Sequence, residues 1–226
     1  MPAPRPFSVD EKVAARIRPM TEGDLRRVAQ LHRAAMGNSL WAQLGPPFLR
    51  ELYRGMLGSA HFIGFVYEEE GHIEGFIAGS EDAGAMMRSI FKRGWPGLGF
   101  TAGVGLLSRP KLAVKLAETA SYFSKSGEGM EHVPAESLFC SFTPRTRGRR
   151  ISGHINKALF DTLLHRGHRK VKITTETSNE GANRQLLSWG FSPALRFTFY
   201  GKEMVTYILE LDASPRLSAR DWTEGP

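Results

Sequence analysis

Four arginines and two glycines lie close together in residues 145–153, between a segment rich in strand formers and an amphipathic segment. A glycine-containing turn that leads into a helix suits a phosphate or pyrophosphate group, because the first turn of a helix has unpaired N–H groups and the positive end of the helix dipole. The arginines add charge and planar pairs of hydrogen-bond donors. An ordinary basic turn on the protein surface explains this segment equally well. The choice between the two depends on the surrounding elements.

The turn is flanked by a predicted strand and a predicted helix. Residues 137–142 alternate and are rich in strand formers, and Pro144 ends this strand because proline has no amide donor. Apolar residues from Ile151 onward recur with a period of 3.6 residues. This spacing predicts a helix that runs to about Arg166 and ends at Gly167.

A second strand and a second helix follow in the sequence. Residues 171–176 alternate as a half-buried strand does. Asn179 is a capping-type residue, and Gly190 is a typical helix stop, so a short helix is expected between them. We expect Phe191 to fold back against it.

This succession of motifs resembles the GNAT family of acyl-CoA-dependent N-acyltransferases. The family's pyrophosphate loop, Arg-Gly-x-Gly-x-Gly/Ala, matches residues 147–152, which read Arg-Gly-Arg-Arg-Ile-Ser. Its downstream pattern, Asn-x-x-Ala followed by a tyrosine four residues later and then Gly-Phe, matches residues 179–191. Both blocks occur in the family's order, with the expected helix and strand between them. The resemblance therefore favours phosphate binding at the basic turn.

The chain departs from the family pattern in two respects. Arg150 and Ser152 stand where the family usually has small loop residues, mostly glycine. A side chain at position 150 costs roughly 1 kcal/mol if the backbone must be left-handed, and nothing if the residue is already in the helix. Leu186 stands where many relatives have the tyrosine that is proposed to protonate the departing thiolate. The details of catalysis are therefore less well supported than cofactor binding.

The resemblance implies direct attack by an acceptor amine on the thioester of an acyl-CoA, most simply acetyl-CoA, with no metal ion. In the family, the fourth and fifth strands separate, so that main-chain groups hold the pantetheine arm, and the loop amides bind the pyrophosphate. Asn179 is then expected near the reactive end of the arm. The cofactor-binding residues implied in this way are Ser141, Phe142, Thr143, Arg147, Gly148, Arg149, Arg150, Ile151, Ser152, Gly153, Asn179, Ala182 and Leu186.

An alkylammonium acceptor must lose a proton before it attacks, because its pKa is typically about 10. Glu136, just before the fourth strand, is the first candidate for the catalytic base, since acidic residues in this region serve relatives. Glu176, at the end of the fifth strand, is the second, and Asp82 is a third. Each also has the simpler interpretation of a surface carboxylate. Without the tyrosine, the departing thiolate would take its proton from water, from the ammonium of the intermediate or from a hydroxyl such as that of Ser188.

Length and composition fit an enzyme with one main domain. The 226 residues, 41% of them apolar, are enough to bury a full core. The net charge of +7 attracts anions in general, whether coenzyme A phosphates, a nucleic acid or an acidic membrane. The single cysteine, Cys140, excludes an internal disulfide framework and indicates a reducing, cytoplasmic compartment.

We expect one GNAT-like α/β (α+β) domain over residues 15–212, with a mixed, mostly antiparallel twisted sheet flanked by helices. Residues 1–14 and 213–226 are expected to be flexible tails, because they carry prolines and charges without a sustained apolar run. Residues 81–133 form an insertion between strands 3 and 4 that is too long for an unstructured loop, and we expect it to be largely helical.

Helical spacing of apolar residues within the insertion predicts one helix near 86–91 and another near 112–122. The glycine-rich run 97–103 is not a dinucleotide-binding motif, since its spacing is one residue too long and no strand precedes it. The insertion follows a central strand and is expected over the acceptor side of the site, as a lid, a dimer contact or extra packing.

The sequence thus predicts an N-acetyltransferase that acts on a small-molecule or peptide amine, with no nucleic acid partner, no membrane span and a homodimer left open. A non-catalytic acyl-CoA sensor is the first alternative, motivated by Leu186 and Arg150. A basic scaffold that binds RNA or a membrane through the insertion is the second.

Overall fold

The computed structural model describes residues 6–37, 39–92, 97, 99, 101–103, 129–199 and 201–223. The strands in this part of the chain are β1 (Ile17–Pro19), β2 (Phe62–Glu69), β3 (His72–Ser80), β4 (Glu136–Phe142), β5 (Lys170–Glu176), β6 (Ser192–Phe199) and β7 (Lys202–Glu210). They form one sheet in the order β1-β2-β3-β4-β5-β7-β6. Only β4 and β5 run parallel among these neighbours. The mixed, mostly antiparallel sheet predicted from the sequence is confirmed.

Helices cover both faces of this sheet. Those that lie wholly within the described residues are α1 (Glu11–Ala14), α2 (Leu25–Met36), α3 (Leu40–Gln43), α4 (Pro46–Leu57), α5 (Ala83–Lys92), α6 (Ile151–His165) and α7 (Glu180–Trp189), with 3₁₀ turns at Glu22–Asp24 and Pro144–Thr146. Side chains of α2 to α5 form the core on one face, and those of α6 and α7 form the core on the other. No helix in the described residues is long and apolar enough to cross a membrane.

The start of α2 has the capped form that its sequence predicts. The Thr21 amide and hydroxyl both donate to Asp24 Oδ2, at 2.8 and 2.9 Å. Arg18 of β1 donates to both Asp24 oxygens, at 2.8 and 2.9 Å. The carboxylate therefore joins the first strand to the first long helix.

The predicted hairpins are also confirmed. β2 and β3 are joined through Glu70 and Gly71, whose φ angles are 52° and 74°. Two consecutive left-handed residues match the twist of antiparallel strands, which is why Glu-Gly serves here. β6 and β7 also pair antiparallel, and Gly201, directly before β7, has a φ of 68°.

The insertion between β3 and β4 is described only in part. Its first helix, α5, buries Met86, Met87 and Ile90 against α4, as the apolar spacing predicts. The helix predicted near 112–122 lies outside the described residues, as does most of the rest of the insertion.

The amino-terminal segment departs from the sequence prediction. Asp10 caps α1 by accepting from the Lys12 amide at 2.9 Å, and Phe7 and Val13 pack against the core on the α6 face. Residues 6–14 are therefore packed against the domain, where the sequence analysis expected a flexible tail. Its apolar side chains are too widely spaced to give a periodic pattern, yet they are packed.

The carboxyl-terminal segment is also packed. Trp222 is only 4% exposed, and its Nε1–H donates to Asp161 Oδ2 of α6 at 3.1 Å. The same carboxylate accepts from the Ser218 amide at 2.9 Å and from Lys157 Nζ at 3.0 Å. Residues 214–223 therefore also contact the domain, where the sequence analysis expected a second flexible tail.

Candidate functional site

A cleft opens between β4 and β5. These parallel strands pair only at Glu136 with Lys172 and at Ser137 with Ile173. Beyond this point β4 remains paired with β3 as far as Phe142, and β5 remains paired with β7. The two central strands therefore separate, and the main-chain groups that β4 directs toward the gap are left for a ligand.

A β-bulge lies where the strands part. The pairing of β3 with β4 steps from Ala78 with Phe139 to Gly79 with Ser137, so Leu138 has no opposite residue. An extra residue of this kind bends a strand and redirects its peptide groups. The bulge explains why β4 leaves β5 directly after Ser137.

The basic turn lies beyond the open end of β4 and leads into α6. Gly148 and Arg150 both have left-handed backbones, with φ of 74° and 58°, and Arg150 is the N-cap of α6. In the described part of the chain, the amides of residues 148 and 150–153 donate to no protein acceptor. Left-handed residues beside a helix start bring such amides together into a concave anion site.

The backbone conformation of Arg150 determines whether a side chain at this loop position is strained. The residue is not yet in the helix, so its side chain does carry the strain of about 1 kcal/mol that glycine would avoid. The Arg150 guanidinium contacts the Phe7 ring, and the Arg150 carbonyl accepts from His154 Nδ1.

Two of the four loop arginines are already paired with acids of the β2–β3 hairpin. Arg149 donates twice to Glu69, at 2.6 and 2.7 Å, and this hydrogen bonding lowers the pKa of Glu69 to about 2. Arg145 donates to Glu74 at 3.1 Å. The Arg147 guanidinium has no hydrogen bond or ion pair with any described residue, so its charge remains available for an anionic ligand, while the Arg147 amide donates to the Pro144 carbonyl at 3.2 Å.

The side chains predicted to contact a pantetheine arm are largely engaged within the protein. Ser141 Oγ donates to the Leu31 carbonyl of α2 at 3.0 Å, and Thr143 Oγ1 donates to Glu74 at 2.5 Å. The Phe142 ring lies over Gly75, where a Cβ atom would overlap it. The Ser141 and Thr143 side chains are therefore already engaged, so what these three residues offer to a ligand is their main-chain groups and the half-buried phenyl ring.

The downstream motif lies at the other side of the cleft, at the start of α7. Asn179 is exposed and caps α7 by accepting from the Ala182 amide at 3.2 Å. Leu186 is buried and packs in the core on the α6 face. Asn183, which the sequence analysis missed, donates from Nδ2 to the carbonyls of residues 176 and 177, at 3.1 and 3.0 Å.

The first candidate base, Glu136, is buried where the two strands meet. Its side chain is 5% exposed, and Lys172 Nζ lies 3.9 Å from Oε2. Burial raises the pKa of the Glu136 carboxyl to about 7, and the Lys172 ammonium opposes this rise. Lys172 also donates to the Val133 carbonyl at 2.9 Å, which fixes its position. A carboxyl with a pKa near neutrality is suited to take up a proton.

The other two candidate bases have different environments. Glu176 is 38% exposed and forms an ion pair with Lys202 at 2.5 Å. It lies four residues along β5 from the partner of Glu136, about 13 Å away by strand geometry. Asp82 accepts from the Ala85 amide at 2.7 Å and so caps α5. Glu176 therefore lies apart from Glu136, whereas Asp82 follows Ser80, the residue that pairs with Glu136 across β3 and β4.

A buried polar pair, also missed from the sequence, lies on the α2 side of the sheet. His32 Nδ1 and the Tyr53 hydroxyl are 2.8 Å apart, and the His32 ring is 4.7 Å from that of Phe139 in the bulge. Burial lowers the pKa of His32 to about 4, so the ring is neutral at pH 7. The signal in the sequence is a histidine four residues after Val28, on the apolar stripe of α2.

The sequence matches no protein-family model and no curated protein. The architecture, however, is shared with solved N-acetyltransferases. A ribosomal-protein-alanine N-acetyltransferase from Brucella melitensis aligns over 86% of this chain and 98% of its own, with a TM-score of 0.57 and 15% identity. An N-acetyltransferase from Staphylococcus aureus Mu50 aligns over 86% and 97%, with a TM-score of 0.55 and 16% identity.

The chain has the GNAT fold. A spermidine/spermine N-acetyltransferase from Vibrio cholerae shares it over 87% of this chain and 92% of its own, with a TM-score of 0.51 and 13% identity. One GNAT architecture thus serves proteins named for a protein amino group and for a polyamine. At these identities the likeness establishes the fold, and the function must be argued from the site.

Proposed function

We propose that this protein is an acyl-CoA-dependent N-acyltransferase that transfers an acetyl group from acetyl-CoA to the amine of an acceptor. The observation that carries the proposal is the parting of β4 and β5 after two residue pairs, at a bulge, with a left-handed loop and a helix start beyond it. A strand gap offers main-chain partners to an extended amide-containing arm, and the helix start offers amides to a pyrophosphate. No other part of the described structure combines the two.

The residues that would hold coenzyme A fall into two groups. The amides of Gly148 and of residues 150–153 fit the pyrophosphate, and Arg147 supplies the uncompensated charge. The open edge of β4 from Leu138 to Phe142 fits the pantetheine arm. Acetyl-CoA supplies the activated acyl thioester, and the protein positions it beside the acceptor.

The role of the catalytic base is best supported for Glu136. The carboxyl lies at the point where the strands part, and burial gives it a pKa of about 7. It is therefore ionised for much of the time at neutral pH and is basic enough to accept a proton from the acceptor ammonium, directly or through a water. Glu176 is instead 38% exposed and engaged in an ion pair with Lys202.

Binding and turnover are tested separately. Calorimetric titration with acetyl-CoA should give saturable binding, and a panel of amines should include one that releases free CoA. Glu136→Gln should lose at least about 100-fold in kcat while retaining affinity for acetyl-CoA. Glu176→Gln is the matched control and should retain activity. Full activity in Glu136→Gln would reject this base, and absence of acetyl-CoA binding would reject the whole proposal.

A non-catalytic acyl-CoA sensor is the second candidate. It is favoured by Leu186, which packs into the core and leaves no hydroxyl at the position where the resemblance implies a tyrosine. Saturable acetyl-CoA binding without CoA release from any amine in the panel would favour the sensor over the enzyme.

A further inference from the structure

The amino-terminal segment packs directly on the first turn of α6, where the proposed pyrophosphate site lies. The Phe7 ring stacks on Trp189 at 5.2 Å between centroids and meets the His154 ring edge-on at 5.0 Å. The Arg150 guanidinium carbon lies 5.1 Å from the centre of the same ring, within the range of a cation–π contact. Phe7 therefore contacts both the core and the loop.

Gly153 makes this close approach of Phe7 feasible. A Cβ atom at position 153 would lie 3.0 and 3.1 Å from two carbons of the Phe7 ring, closer than such contacts normally come. Gly153, whose amide belongs to the proposed pyrophosphate site, thus also makes room for the amino-terminal segment.

His154 connects the segment to the loop by hydrogen bonds. The Asp10 amide donates to His154 Nε2 at 2.9 Å, and a backbone amide can only donate, so Nε2 must be the unprotonated nitrogen. The proton is then on Nδ1, which donates to the Arg150 carbonyl at 2.9 Å. The His154 amide donates to the same carbonyl at 3.2 Å. His154 is 1% exposed, so these bonds are shielded from water.

Phe7 and His154 together therefore contact both the side chain and the backbone of Arg150. Phe7 contacts its guanidinium, and His154 binds its carbonyl through two donors. Arg150 is one of only two described residues other than glycine that have a positive φ. Its peptide orientation sets the direction of the amides that follow it in residues 151–153.

We infer that Phe7 and His154 are positioning residues for the pyrophosphate of coenzyme A: they hold Arg150 in its left-handed conformation and so keep the loop amides arranged for the phosphates. The inference rests on the proposed function. The simpler reading of Phe7 as core packing alone predicts lower stability for Phe7→Ala without a specific effect on this loop.

A double-mutant cycle separates these two readings. Phe7→Ala should weaken CoA binding by about fivefold in calorimetry. This factor corresponds to the cost of the left-handed conformation of Arg150, which Phe7 no longer stabilises in the variant. In an Arg150→Gly background, glycine adopts that conformation unaided, so the same Phe7→Ala change should cost about twofold or less. Equal losses in both backgrounds, or no loss with Arg150 present, would overturn the inference.

Two further variants guard against a general loss of structure. Val13→Ala removes another side chain of the same segment that packs on the core and should leave CoA affinity unchanged. Phe7→Leu keeps an apolar side chain against Trp189 and replaces Phe7→Ala if that variant does not fold. Proportional weakening of CoA binding in Val13→Ala would assign the effect to stability and refute the positioning role.

A ligand-free measurement keeps this inference distinguishable from the proposed function. The His154 amide is bonded to the Arg150 carbonyl, so its hydrogen exchange reports on the loop without any ligand. Phe7→Ala should accelerate this exchange beyond the change in global stability, and unchanged protection would refute the inference. If wild type binds no CoA, the proposed function fails, whatever the exchange result.

Discussion

The ion pair between Lys172 and Glu136 gives the sharpest test of the proposed chemistry. The two side chains are 8% and 5% exposed, and Nζ lies 3.9 Å from Oε2. Two unit charges at about 4 Å attract by about 4 kcal/mol at an effective dielectric constant of about 20, and each pKa unit corresponds to about 1.4 kcal/mol. Removing the ammonium should therefore raise the pKa of Glu136 by up to about 3 units above its value of about 7.

The sign of the effect on rate follows from the proposed role of Glu136 as a general base. A general base is active as the carboxylate, so kcat/KM should rise with pH through the pKa of about 7 in the wild type. In Lys172→Met this rise should move to higher pH, and the rate at pH 7 should fall at least about tenfold while the rate at high pH recovers. Lys172→Arg keeps the positive charge and should leave the rise close to its wild-type position.

The assay is CoA release measured from pH 5.5 to 10 with two acceptors whose amine pKa values differ. The acceptor's own ionisation shifts when the acceptor is exchanged, whereas the ionisation of Glu136 does not. Glu176→Gln serves as the control, because its ion pair with Lys202 lies at the other end of β5. If kcat/KM of Lys172→Met rises with pH at the same pH as that of the wild type, the coupling of the two buried charges is refuted.

Three predictions concern stability, each measured by urea denaturation. In the wild type, the folded-state pKa of Glu136 of about 7 exceeds the ordinary value of 4.5, so the free energy of unfolding should fall by about 3 kcal/mol as the pH rises between these values. Glu136→Gln should abolish this fall. A variant whose free energy of unfolding has the same dependence on pH would contradict the burial argument. Trp222→Ala should lower the free energy of unfolding by about 3–5 kcal/mol, and Trp222→Phe by about 1 kcal/mol, because phenylalanine keeps an aromatic ring in the core and loses only the hydrogen bond to Asp161. Equal losses would mean that this hydrogen bond dominates. Gly75→Ala should cost about 1–3 kcal/mol by displacing the Phe142 ring, whereas Gly23→Ala, with no neighbour closer than 3.8 Å, should cost less than about 1 kcal/mol; similar losses would show that the ring moves freely.

Local patterns in the sequence were enough for most elements of the fold. The alternation in residues 137–142, the capped start at Thr21 and the Glu70-Gly71 turn each depend on neighbours in the chain, and each has the predicted structure. The separation of β4 from β5 has no such local cause. It depends on a bulge at Leu138, and the sequence suggested it only through a resemblance to a family.

Contacts between distant residues escaped the sequence analysis. The pairing of Arg149 with Glu69 joins residues 80 positions apart, so the loop's four arginines gave no indication that this one is neutralised. Phe7 is an isolated aromatic residue among prolines and charges, and no periodicity marks it as packed. His32 fits the apolar stripe of α2, yet only the structure places it against Tyr53.

The burial of Glu136 is difficult to explain as a contribution to stability. A carboxyl that prefers to be protonated when folded destabilises the protein wherever it is ionised, and its partner Lys172 is only 3.9 Å away without a direct hydrogen bond. Replacement of such a buried pair by apolar side chains is often neutral or stabilising. Folding therefore gives no reason for an ionisable pair at the point where two central strands part, and the role in proton transfer proposed for Glu136 would account for it. The same reasoning does not extend to Glu176, whose exposed ion pair costs little and needs no functional explanation.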